Sequence, residues 1–496
     1  MGPSSPVTPA SANARSGKNT TNSNGAYRKP SAPSDNGPEE PVVRKSATYR
    51  HVVAIHSQVR HSCLSRDADN APSFMGFRNL MVVVLVAMNL RLIIENFLKY
   101  GVLICIKCHD YRKQDVVIGA ILVALVPCQL LCSYFIELAA SRHAMRIIGQ
   151  AKKKDEVFNE SRRTWFFIAL LHSVISFSGL AATSYAIYYY INHPGIGTLC
   201  EIQVIIVSLK SYSYALTNRD LRRAMLGSPS TAFDIPALYA SCPYPRNITI
   251  GNLTYFLLAP TLVYQPVYPR TPRIRWSFVG KRLFEFVCLA VVIWLLSAQY
   301  AAPLLRNATE KIAVLHVGSI LERGLKLSTI SVVIWLAGFY ALFQSLLNGL
   351  AEIMRFGDRE FYTDWWNSPS FGVYWRSWNR PIYTFMKRHV YMPLITRGWN
   401  PTAAGTVVFT VSAVLHEILV GVPTHNLIGV AFMAMLFQLP LILLTAPFGK
   451  LKTPLGKSIG NSFFWVTFCV VGQPLGTLLY FFAWQAKYGS VSKTHA

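Results

Sequence analysis

The feature that most constrains this chain is a recurrence of apolar windows about 20 residues long, the length at which an α-helix crosses the hydrocarbon core of a bilayer. About nine such windows occur, near 78–104, 116–140, 165–190, 196–216, 283–305, 328–350, 403–422, 427–448 and 462–483. Hydrocarbon offers no water to backbone amides and carbonyls, so each window must close its hydrogen bonds within itself as a helix. The expectation is an all-α polytopic membrane protein of about nine transmembrane helices, with interfacial amphipathic helices between them. Composition agrees: 52% of 496 residues are hydrophobic and only 14% are charged, more apolar material than one soluble core needs.

A formal net charge of +25 would suit nucleic acid if it were gathered in one soluble domain. It is not. Lys and Arg concentrate in the loops 141–164, 217–282, 351–402 and 449–461 and are sparse in the loops that alternate with these. Such asymmetry points to the membrane surface rather than nucleic acid, and it places the N-terminus in the cytosol and the C-terminus in the lumen. Residues 1–74 are rich in Ser, Asn, Pro and Ala and lack apolar periodicity, which predicts a disordered basic cytosolic tail. The membrane-embedded domain is then 75–484, followed by a short C-terminal tail, 485–496. The chain begins with polar residues, so no cleavable signal peptide is expected and the first span acts as its own insertion signal. Nine cysteines in no extracellular spacing imply no disulfide framework, and Cys105 and Cys108 read as two membrane-edge thiols. Of the glycosylation sequons, only Asn307-Ala308-Thr309 falls on the predicted lumenal side.

Two long loops differ in character. In 217–282, Pro260, Pro266, Pro269 and Pro272 interleave with Arg270, Arg273 and Arg275, which argues for an irregular basic surface suited to acidic headgroups or a phosphorylated ligand. In 351–402 aromatic residues alternate with Arg and Lys, the composition of an amphipathic segment lying at the interface.

Polar residues inside spans are costly and are kept where they face a cavity or a partner. Three stand out: His416, Gln438 and Gln473. At about 1.5 Å of rise per residue His416 lies roughly 20 Å into its span and each glutamine roughly 16 Å, so all three can meet near the middle of the bilayer. A lone polar residue is more often interhelical glue; a histidine with two amides at matching depth favours a site. His416-Glu417 lacks the second histidine of a zinc motif, because position 420 is Val. A neutral imidazole can take a proton from an alcohol as its oxygen attacks a carbonyl, and amides can steady the alcohol or the developing oxyanion. A transporter lined by the same polar groups is the competing class of function.

Residues 355–368 read RFGDREFYTDWWNS, and with NLRLIIENFLKYG (89–101), LKSYSY (209–214), YPRTPRIRW (268–276), SAVLHEILVGVPTH (412–425), FQLPLILLT (437–445) and GQP (472–474) the chain resembles the membrane-bound O-acyltransferase family. Within it, the likeness is to the acyl-CoA:diacylglycerol acyltransferase type 1 branch, over about residues 75–484. The resemblance implies esterification of the free hydroxyl of diacylglycerol by acyl-CoA, a substrate rather than a cofactor, with no metal. It also implies residence in the endoplasmic reticulum membrane and a homodimer or homotetramer. His416 matches the family's catalytic histidine, and Asn367 the asparagine needed for activity at the end of FYxDWWN. Tyr362, Asp364 and Trp366 complete that motif, which in the family shapes acyl-CoA access from the cytosol. Glu417 matches the acidic residue after the histidine, and Gln438 and Gln473 match polar positions lining the reaction chamber. The sterol O-acyltransferases are the alternative branch; YPRTPRIRW resembles both, whereas VPTH, FQLP and GQP favour diacylglycerol. Arg380 departs from the apolar residue many relatives carry after the Trp-Asn pair.

Overall fold

The protein is described from a computed structural model covering residues 75–101, 112–150, 154–226, 236–301, 303, 317–451, 453–472 and a few positions to 483. The predicted N- and C-terminal tails, Cys105, Cys108, Asn307 and Gln473 lie outside the described residues. Two compact units divide at Leu85, and every contact below lies within the second, Val86–Ala496.

The helices are α1 (Met75–Tyr100), α2 (Lys113–Leu125), α3 (Cys128–Gly149), α4 (Lys154–Tyr190), α5 (Pro194–Met225), α6 (Ile250–Leu258), α7 (Trp276–Leu296), α8 (Val317–Phe339), α9 (Leu347–Ile353), α10 (Phe371–Ser377), α11 (Arg380–Met386), α12 (Pro401–Gly421), α13 (Val430–Leu436), α14 (Gln438–Lys450) and α15 (Pro454–Val466). Seven stretches among the described residues are long and apolar enough to cross a membrane: Lys113–Gly149, Thr164–Tyr190, Pro194–Met225, Trp276–Ala301, Gly324–Ile353, Pro401–Gly421 and Val430–Lys450. They coincide with the second to eighth apolar windows. The first window falls on α1 and the last on α15 with its π-helical continuation Thr467–Gly472, so nine remains an approximate count.

Apolar side chains point outward along these helices, as Phe166, Phe167, Leu170, Leu171 and Phe177 do on α4, the arrangement expected where lipid replaces water. Helices α3, α4 and α5 pack together, α5 also touches α12, and α12 packs along α13. A buried cluster of Leu130, Tyr134, Val207, Tyr214, Phe256, Tyr264, Phe343, Phe356 and Phe361 joins this bundle to the segments 250–268 and 343–361.

Segment 259–275 is irregular, as its prolines predict, and the last turn of α6 that leads into it is held by Lys210. The buried Lys210 ammonium donates to the carbonyls of Phe256 (2.8 Å), Leu257 (2.7 Å) and Ala259 (2.9 Å), groups that a helix end leaves without partners. In loop 351–402 several of the aromatic residues are packed within the protein. Phe361, Trp365, Phe371, Tyr374 and Phe385 are buried, and Trp365 and Tyr374 form a second core with Leu441, Phe464 and Phe468. These buried aromatic residues pack the short helices against α14 and α15, and α10 docks on α14.

Glu137 on α3 is a fully buried carboxylate. It pairs with Arg222 at the end of α5 and accepts from the Tyr244 hydroxyl at 2.8 Å, while His172 Nε2 on α4 stands 3.8 Å away. Removing one partner of a buried pair strands the other charge, which costs about 3–5 kcal/mol. Glu137→Ala is therefore expected to lower the melting temperature of detergent-purified protein markedly. Arg112→Ala should lower it far less, because Arg112 is 48% exposed and the buried Asp115 keeps the bonds from Asn192 N and His193 N; equal losses would contradict this reading.

Candidate active site

Helix α12 begins where the sequence supplies both starting signals. The Asn400 side chain accepts from Thr402 N (2.7 Å) and Ala403 N (3.1 Å), and Pro401 occupies the first helical position, where its missing N–H costs nothing. Along the helix, Thr406 and Thr410 donate their hydroxyls to the carbonyls one turn back, at 3.0 and 2.9 Å, which satisfies them without a partner helix.

His416 uses the same device with a chemical consequence. Its Nδ1 lies 2.7 Å from the Ser412 carbonyl oxygen and 3.4 Å from Ser412 Oγ. A carbonyl only accepts, so Nδ1 carries the hydrogen and Nε2 presents its lone pair. Nε2 has no hydrogen-bond partner among the described residues, and the ring is partly buried. On one side of it, Val408 and Leu415 pack against the buried Leu262, Val263, Phe385 and Met386.

Gln438 reaches this helix through a tryptophan. Trp375 Nε1 donates to Gln438 Oε1 at 3.3 Å, and the Trp375 ring meets Phe409 edge-on with centroids 5.7 Å apart. Phe409 lies seven residues before His416 and so on nearly the same face, about 10 Å along the axis. The Gln438 amide also donates to the Ala434 carbonyl at 3.1 Å.

Glu417 is turned elsewhere. Oε1 accepts from Gly429 N (2.8 Å), and Oε2 accepts from Phe432 N (3.1 Å) and the Tyr480 hydroxyl (2.7 Å). The carboxylate thus fastens the start of α13, about 100° around the helix from the imidazole.

The FYTDWWN segment is a buried frame with an exposed tip. Phe361 and Trp365 are buried, and the Tyr362 hydroxyl donates to Gln344 Oε1 at 2.7 Å. Trp365 to Asn367 make one 3-10 turn closed by Asn367 N on the Asp364 carbonyl at 3.0 Å. Asp364, Trp366 and Asn367 are exposed, and among the described residues no hydrogen bond joins Asn367 to His416. Reading the sequence did not single out Asn461, whose Nδ2 donates to the carbonyls of Trp366 (2.9 Å) and Ser368 (3.0 Å) and pins this turn to α15. A lone amide in an apolar helix was the available signal.

Residues 164–481 match the profile of the membrane-bound O-acyltransferase family, and the chain belongs to that family. Diacylglycerol O-acyltransferases are among its relatives. Diacylglycerol O-acyltransferase 1C of Glycine max is 36% identical over 470 residues, covering 93% of this chain and 85% of the relative. Diacylglycerol O-acyltransferase 1 of Arabidopsis thaliana is 35% identical over 455 residues, 90% of this chain and 80% of the relative. Diacylglycerol O-acyltransferase 1-2 of Oryza sativa subsp. japonica is 36% identical over 437 residues, 87% and 86% of the two chains.

Because Glu417 serves α13, Glu417→Gln should lower the melting temperature, a charge-assisted bond contributing about 1.5–3 kcal/mol, while leaving the pH profile of turnover in place. A displaced pH profile at unchanged melting temperature would instead tie Glu417 to the imidazole.

Proposed function

We propose that the protein transfers the acyl group of acyl-CoA to the free hydroxyl of diacylglycerol, giving triacylglycerol and coenzyme A, with His416 as general base. The observation that carries this reading is the 2.7 Å bond from His416 Nδ1 to the Ser412 carbonyl, which fixes the tautomer with Nε2 as acceptor. Nε2 takes the hydroxyl proton as the diacylglycerol oxygen attacks the thioester carbonyl carbon. The C–S bond breaks as the ester forms, and the imidazolium returns the proton to the departing thiolate. A thioester has a good leaving group, so the step calls for neither nucleotide hydrolysis nor a metal.

Asn367, Gln438 and Gln473 are assigned to orienting the ester and the hydroxyl, with Gln438 supported by its link through Trp375 to the His416 helix. Tyr362, Asp364 and Trp366 shape access for the acyl donor, and the exposure of Asp364 and Trp366 suits a doorway. Diacylglycerol is preferred to sterol as acceptor on the names of the relatives. The enzyme would reside in the endoplasmic reticulum membrane with its N-terminus cytosolic and C-terminus lumenal, as a homodimer or homotetramer.

His416→Ala should cut triacylglycerol formation from labelled oleoyl-CoA by about 100-fold or more, the contribution of a positioned base. A variant working at the parental rate removes the assignment. A panel in which diacylglycerol, monoacylglycerol, sterol and a long-chain alcohol compete for one acyl-CoA should favour diacylglycerol; faster esterification of sterol would overturn the acceptor. In the proposed topology Asn307 carries glycan, so endoglycosidase should shift the mobility of the parental chain and not of Asn307→Gln.

A further inference from the structure

A second built cluster of charges lies just ahead of the FYTDWWN segment, apart from His416. Glu352, in the last turn of α9, is 1% exposed, yet both of its oxygens are occupied by arginines from two separate segments. Oε1 accepts from the backbone N (2.8 Å) and Nε (3.0 Å) of Arg275, and Oε2 accepts from Arg275 Nη2 (2.9 Å) and Arg359 Nη1 (2.6 Å). A carboxylate has about four acceptor sites, and here all are filled.

The backbones of the two segments are zipped together beside it. Thr271 N donates to the Arg355 carbonyl (2.9 Å), Gly357 N donates to the Pro269 carbonyl (2.8 Å), and Arg270 and Phe356 form an antiparallel bridge. Arg355 is held at φ +52°, a conformation side-chain-bearing residues rarely adopt, with its Nε donating to the Thr271 carbonyl at 2.7 Å. A Cβ at Gly357 would meet the Pro269 carbonyl oxygen at 3.0 Å, so the approach is close and a larger residue would push the two backbones apart.

The five arginines on these segments therefore divide. Glu352 takes Arg275 and Arg359, while Arg270, Arg273 and Arg355 are exposed on the same clasped pair of loops, with no carboxylate partner among the described residues. Arg270 lies over the Tyr255 ring at 4.3 Å; of the two acids that follow Arg355 before the core, Glu360 is taken up by Arg380 at 2.8 Å and Asp358 is exposed. Two residues beyond Arg359 the chain enters the core at Phe361 and begins the FYTDWWN turn. One carboxylate thus sets the register of that turn against a loop carrying three outward guanidiniums.

We propose that Glu352 is a positioning residue for the acyl donor: by clasping Arg275 and Arg359 it holds Arg270, Arg273 and Arg355 together as a cradle for the phosphates of acyl-CoA. The inference rests on the acyl-CoA reading above. Glu352 is shielded from the donor by its own arginines and acts only through the loops it joins. Planar guanidiniums bind phosphate oxygens by paired charge-assisted bonds, which depend on their mutual spacing and so on the clasp.

The test uses full-length Glu352→Gln and Arg359→Gln in detergent micelles with oleoyl-CoA, diacylglycerol and free coenzyme A as probes. Loss of the clasp is expected to raise the KM for oleoyl-CoA and the inhibition constant of free coenzyme A together, by about tenfold for Glu352→Gln, while the KM for diacylglycerol stays within about twofold. Arg359→Gln, which keeps the Arg275 pair, should give the same split at smaller size, and it decides the matter if Glu352→Gln does not fold. Unchanged constants for oleoyl-CoA and coenzyme A in both variants would overturn the proposal. So would a KM for diacylglycerol that rises in step with them, because general loosening of the fold would then suffice. A parental protein that turns over no oleoyl-CoA in the same assay refutes the acyl-CoA reading itself, a result distinct from either variant's.

Discussion

Inside hydrocarbon a polar group has no water to bond, and satisfying each such group from within the chain is the constraint on which this structure depends. Thr406 and Thr410 bond back along their own helix, Gln299 Nε2 donates to Asn96 Oδ1 and to the Gly101 carbonyl at 2.9 Å each, and Lys210 gathers three carbonyls. The same rule places a hydrogen on His416 Nδ1, because the nearest acceptor is the Ser412 carbonyl one turn back. A requirement of folding thereby sets the tautomer that makes Nε2 an acceptor.

The helical architecture was legible because apolar length is a local property. The windows 165–190 and 196–216 fall on Thr164–Tyr190 and Pro194–Met225. His416 was legible for a related reason, since an imidazole in an apolar run is conspicuous without knowledge of its partners. Glu137 and Arg222 are separated by 85 positions and Arg275 and Glu352 by 77, and nothing local to either residue names the other. Such pairs come from tertiary packing, which brings α3 against α5 and the end of α9 against the start of α7.

In loop 351–402 composition leaves the degree of internal packing open. Alternating aromatic and basic residues describe both a helix lying on a membrane and a folded aromatic core with a charged rim. The difference lies in whether something covers the aromatic face. Here α14 and α15 cover it: Phe371 N donates to Thr445 Oγ1 at 3.1 Å, and the Trp365 and Trp465 rings stand 5.8 Å apart. Burial of the frame leaves the tip, Trp366 and Asn367, exposed, and Asn461 fixes the tip through its backbone, leaving the side chains available. Helices α12 and α14 are linked through Trp375 and Phe409, a connection that helical rise alone does not reveal.

Adjacent residues of a helix point about 100° apart, which resolves the pairing of His416 with Glu417. A carboxylate at position 417 cannot orient the imidazole and also fasten Gly429, Phe432 and Tyr480, and its oxygens are committed to the second task. With that contact closed, the imidazole takes its orientation from the Ser412 carbonyl, which no side-chain substitution removes. The scaffold that holds the histidine is thus separable from the groups that act beside it. Glu417 bears on α12 through the docking of α13, whereas Trp375 links Gln438 to Phe409, which shares a helix face with His416.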